Sequence, residues 1–171
     1  MNTENFKKTE GILYRHYKNI RKKSRLEYKK FNLEKKIEEI RKDIKEANVS
    51  IDSDIRAIDY STDKVQTSTS GGIELEIINA LDKLEIELKK TIKAKLKIQF
   101  KIRELKDDID DIDYILSRLS TDYKNLVELK YGNAEHISNI SIGIRLNMTE
   151  STVRRKRQEV VECIGKWLSL K

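Results

Sequence analysis

The sequence predicts an all-α protein, a long antiparallel coiled-coil hairpin followed by a small helix-turn-helix domain. Three observations carry that expectation. Proline, which removes a backbone donor and clashes inside a helix, is absent from all 171 residues. Leucine and isoleucine recur at alternating steps of three and four through two long, highly charged stretches. After residue 119 the texture changes to short segments, each opened by a hydroxyl residue able to cap a helix. The expected boundary divides residues 1–119, the hairpin, from 120–171, the compact domain.

The first helix is expected from about Thr3 to Asn48. Leu33, Ile37, Ile40, Ile44 and Ala47 keep heptad spacing, and Leu13, Tyr17 and Ile20 hold the same rhythm upstream. The phase shifts between Ile20 and Leu26, a break that alters supercoiling locally. Residues 49–72, VSIDSDIRAIDYSTDKVQTSTSGG, are dense in Ser, Thr and Asp and read as a loop. Either a flexible linker or a hydroxyl-rich partner site around Val65 and Gln66 fits that composition.

A second long helix is expected from about Ile73 to Leu119, carried by Ile77, Leu81, Leu84 and Leu88, then by Ile102, Leu105, Ile109 and Ile112. Its stripe can bury against that of the first helix within one chain or between chains, so a homo-oligomer is expected. Beyond it, Ser120 or Thr121 opens a helix over 122–131, and Gly132-Asn133 ends it. Ser138 opens another over 139–146, and Thr149 opens the last, which runs to about Leu168.

Charge narrows the class of partner. Residues 1–48 hold 15 Lys/Arg against 8 Asp/Glu, and residues 120–171 hold 9 against 6, while 73–119 are balanced at 10 against 11. Basic surplus at both ends points to an anionic partner such as nucleic acid. One cysteine, Cys163, leaves no intramolecular disulfide, and no apolar stretch is long enough for a membrane span. A cytoplasmic protein with no membrane partner is expected. No catalytic triad, phosphate-cradling glycine loop or ligand-spaced His/Cys set is present, so neither an enzyme nor a cofactor or metal is expected.

Residues 137–156, ISNISIGIRLNMTESTVRRK, have the spacing of a helix-turn-helix. Ile142 is apolar, Gly143 is small where two helices cross, and Asn147 tolerates positive φ. Met148 fills the turn, and Thr149 caps the second helix. At 100° per residue, Val153, Val160, Ile164 and Trp167/Leu168 form an inward stripe, with Leu146 burying against it. Glu150, Ser151, Arg154, Arg155 and Gln158 share another face, where Arg can pair with guanine and Gln with adenine. Thr149, Thr152, Lys156, Arg157 and Lys130 are placed for phosphate contacts.

The segment LSTDYKNLVELKYGNAEHISNISIGIRLNMTESTVRRKRQEVVECIGKWL resembles region 4 of sigma-70 family factors over about the last 50 residues. The matching positions are Leu129, Lys130, Tyr131 and Gly132, then Ile142, Leu146, Thr152, Val153, Arg154 and Lys156. Ser141 departs from the acidic residue common there, Gly143 from Ala, and Arg157 from an apolar residue. The whole plan is similar to phage late-gene regulators of the RinA/ArpU type. That resemblance implies a phage or prophage activator that binds double-stranded DNA and contacts host RNA polymerase. A small terminase subunit binding packaging-site DNA and a structural adaptor with a basic tail are the competing expectations.

Three other features have a bland reading beside a functional one. The run KDDIDDID at 106–113 is expected to be a solvated acidic face, since a straight helix does not converge ligands. The basic stretch RHYKNIRKKSR at 15–25 could meet phosphates or simply solvent. His16 and His136 lack partners at ligand spacing and are expected to pack or lie on the surface.

Overall fold

The computed structural model describes residues 3–46, 69–133, 135 and 137–168. Every element among them is helical: α1 (Thr3–Glu46), α2 (Thr69–Ser117), α3 (Thr121–Val127), a single π-helical turn (Glu128–Gly132), α4 (Asn139–Leu146) and α5 (Glu150–Trp167). The long helices pack against each other as the expected hairpin. The expected loop at 49–68, with its alternative of a partner site at Val65 and Gln66, lies outside the described residues, as do Ala47 and His136. Residues 69–72, expected as loop, are the first turn of α2. Gly71 and Gly72 fall in that first turn, outside the helix interior where glycine's backbone entropy costs most.

The chain divides into two compact units, residues 1–27 with 101–171, and residues 28–100. Composition places its boundary at 119/120 instead, because it detects where element length changes and not which elements share a core. In the second unit Ile37 and Ile40 are buried and Leu33, Ile44, Ile77, Leu81, Leu84 and Leu88 are half-buried, the predicted heptad positions. Antiparallel pairing shows in the ion pairs Lys36–Glu87 (2.7 Å) and Lys95–Glu34 (4.0 Å).

In the first unit one core joins both long helices to the three short ones. Leu13 of α1 and Leu119 pack with Leu126, Tyr131, Ile142 and Val153, and Phe6, Tyr17, Ile115 and Leu116 flank them. Here the heptad reading of α1 needs correction. The buried positions are Thr9, Leu13 and His16, whereas Ile20 is exposed. A two-stranded stripe is narrow, but α1 meets neighbours on more than one side in this unit, so its buried arc widens. His16 is buried, with Nε2 3.2 Å from Asp113 Oδ1 and Nδ1 without a hydrogen-bond partner among the described residues. The other acidic residues of the run, Asp107, Asp108, Asp110 and Asp111, are exposed, while Ile109 is buried.

The segment predicted as one helix over 122–131 is α3 followed by the π turn. Lys130 and Tyr131 in this turn are both buried, four residues on from the buried Leu126 and Val127. Gly132 ends it where a side chain would be crowded: a Cβ there would lie 3.3 Å from the Tyr17 ring. Its carbonyl accepts from Arg21 Nη1 at 2.7 Å, which gives one member of the basic stretch 15–25 a structural role.

Candidate nucleic-acid interface

The candidate interface is built from the turn between α4 and α5. Ser138 opens α4 by accepting from the Ser141 N–H at 3.1 Å. Asn147 closes it in the left-handed conformation, φ 52° and ψ 47°. The N–H groups of Asn147 and Met148 both reach the Gly143 carbonyl, the latter at 2.8 Å. Asparagine carries this conformation at less cost than other residues with a Cβ. A Cβ on Gly143 would sit 2.5 Å from the Met148 carbonyl oxygen. The glycine therefore makes room for the backbone of the turn, and not for the second helix as its spacing suggested. Thr149 then opens α5, its Oγ1 accepting from the Thr152 N–H at 3.3 Å.

Helical periodicity divides α5 as expected near its start. Val153, Val160 and Ile164 are buried, with Leu146, Trp167 and Leu168 half-buried beside them. Val161 and Gly165 are buried too. The stripe read from sequence was too narrow, because α5 packs on α3 as well as α4. Ser151, Arg154, Arg155 and Gln158 are exposed on the outer face, and the side chains of Arg154 and Arg155 are 68% and 73% accessible. Glu150, half-buried, accepts from Arg154 Nε and Nη2 at 3.1 and 2.8 Å. Arg155 lies 3.7 Å from Glu159, and Gln158 donates to Glu162 at 3.2 Å.

The predicted phosphate contacts divide. Thr149 is exposed and Thr152 half-buried at the start of α5. Lys156 reaches Asp122 at 3.3 Å with 22% of its side chain accessible. Lys130 and Arg157 turn inward, which corrects their assignment. Lys130 is 4% exposed, and its Nζ donates to the Ile137 carbonyl at 3.1 Å. Burial and the nearby Arg157 charge push its pKa below that of an ordinary lysine, against the pull of Glu10. Arg157 donates from Nε and Nη2 to Glu10 Oε1 at 2.8 and 2.5 Å, and the Tyr131 hydroxyl donates to the same oxygen at 2.5 Å. Burial first, then Glu10, raise the Tyr131 pKa far above a free phenol's. The Tyr131 ring also meets Tyr14 edge-on at 4.9 Å.

Glu10 is thus the organising residue that sequence reasoning missed. It stands 147 positions from Arg157, and nothing in the local spacing of either marks the pair. Beside it, Thr3, Phe6, Asn139, Arg154, Arg157 and Gln158 line most of a cleft of about 550 Å³ along the outer edge of α5. Asn139 Oδ1 is buried there without a hydrogen-bond partner among the described residues. No helix among the described residues is long and apolar enough to cross a membrane. No family model, curated protein or solved structure matches this chain.

Proposed function

We propose that the chain is a sequence-specific regulator of transcription that binds double-stranded DNA, with the N-terminal half of α5 in the major groove. The observation that carries this reading is the left-handed reversal at Asn147, after which Ser151, Arg154, Arg155 and Gln158 project away from the valines of the same helix. Recognition helices of helix-turn-helix proteins dock by their N-terminal residues, and arginine is the commonest reader of guanine. The basic surplus of residues 120–171, 9 against 6, favours approach to phosphate.

The carboxylates beside these arginines do not oppose the proposal. Exposed pairs four residues apart, such as Arg154–Glu150 and Arg155–Glu159, are worth about 0.5 kcal/mol or less and exchange readily for a base or phosphate. Lys156 can exchange Asp122 for phosphate because the carboxylate it meets is itself 68% accessible. Arg157 and Lys130 are structural in this reading. The resemblance to sigma region 4 and to RinA/ArpU-type regulators supports a phage or prophage late-gene activator working in the cytoplasm with host RNA polymerase.

Selection of bound duplexes from random DNA, followed by titration of the selected site, tests the proposal. Arg155→Ala is expected to relax base preference at one position at a cost of about 1–3 kcal/mol. Lys156→Ala should weaken specific and random DNA alike and lower the salt slope by about 1. Absence of any complex at about 50 mM salt would falsify it and favour an adaptor whose partner is a protein.

A further inference from the structure

Within residues 28–100, α2 carries a second apolar stripe that its hairpin partner does not cover. At 100° per residue Leu75, Ile78, Ile86, Leu96 and Phe100 fall within an arc of about 80°. They are 59%, 54%, 51%, 45% and 61% exposed. The opposite arc holds Ile77, Leu81, Leu84, Leu88 and Thr91, all half-buried or buried against the hairpin. Isolated exposed apolar residues are ordinary on a protein surface, but five large ones on one helical face mark a contact surface.

Charge along the helix indicates what covers it. Residues 75–87 carry Glu76, Asp82, Glu85 and Glu87 against Lys83 alone, whereas residues 88–100 carry five lysines and no acid. A helix acidic in one half and basic in the other is complementary to its own antiparallel copy and repels a parallel one. We propose that this face docks against the same face of a second copy, the two α2 helices running antiparallel about a two-fold axis between Glu87 and Leu88. Positions whose numbers sum to 175 then oppose each other. Asp82 meets the second copy's Lys93, and Leu75 meets its Phe100. Each contact occurs twice by symmetry, as an isologous interface requires. The mixed charged and apolar seam suits a reversible dimer, formed as concentration rises.

The test is a charge-swap cycle on the full chain, read by sedimentation equilibrium at low salt. Asp82→Lys sets like charges opposite each other twice per dimer and is expected to raise the dimer Kd about ten-fold or more. Lys93→Asp should do the same, and the double variant should return the Kd to within about three-fold of the parent. Both positions are exposed, so circular dichroism should show unchanged helix content in all variants. A parent chain that stays monomeric at all concentrations up to 100 µM overturns the proposal, whatever else occupies the face. So does a dimer indifferent to both single changes, or single losses that the double variant fails to restore.

Discussion

At Gly143 and Asn147 two residues fix the direction of everything that follows them. Gly143→Ala would drive a methyl into the Met148 carbonyl, 2.5 Å away, and is expected to cost about 1–3 kcal/mol in urea unfolding. Asn147→Ala should cost about 1 kcal/mol through the left-handed backbone, and Asn147→Gly should be close to neutral. His16 acts through protonation. Burial, opposed by Asp113, lowers its pKa from 6.5, so the unfolded chain binds more protons there than the folded one. Its contribution is therefore complete above about pH 6.5 and is lost as pH falls from there toward the lowered folded value. Melting temperatures at pH 7.5 and 5.5 should diverge more in the parent than in His16→Leu. Equal divergence would remove His16 as the cause.

Among the elements, α1 and α5 share a core and are bridged across it by the Glu10 carboxylate. Glu10 gathers two donors of Arg157 and the hydroxyl of Tyr131, and the side chains of Glu10 and Arg157 are only 14% and 26% accessible. Removing one member of so enclosed a pair leaves a charge without its partner. Glu10→Ala is accordingly expected to destabilise by about 2–3 kcal/mol. If the proposed function holds, it should also weaken binding to the selected DNA site, because Arg157 lies on the same turns of α5 as Arg154 and Gln158. A chemical-denaturation series comparing Glu10→Ala with Glu10→Gln separates loss of the charge from loss of all contact. The π turn belongs to this scale as well, since it carries the buried Tyr131 and Lys130.

For the whole molecule the consequence is that the helix-turn-helix does not end at its sequence boundary. Its core includes Leu13 with flanking Phe6 and Tyr17 from α1, and Leu119 with flanking Ile115 and Leu116. Residues 120–171 alone would expose the apolar surface those side chains cover. They are expected to lack a cooperative thermal transition by circular dichroism. Residues 1–27 and 101–171 joined by a short glycine-serine linker should regain one, because together they form a compact unit. A sharp transition in the short fragment would show that the α1 contacts are dispensable.

The amino-acid order by itself determined the features that depend on near neighbours. The caps at Ser138 and Thr149, the reversal at Asn147, the inward valines at 153 and 160 and the outward arginines at 154 and 155 all follow from local backbone preference and helical period. Residues 69–72, read as the end of a loop, form the first turn of α2, because glycine signals a break that a helix start can absorb. Tertiary structure alone decided which cations face solvent. Arg157 carries the same charge as the exposed Arg154 and Arg155, and Lys130 the same as the exposed Lys124, yet Arg157 meets Glu10 and Lys130 the Ile137 carbonyl. It also decided how wide each buried arc is, since that width depends on how many elements pack around a helix, a quantity no single helix's periodicity contains.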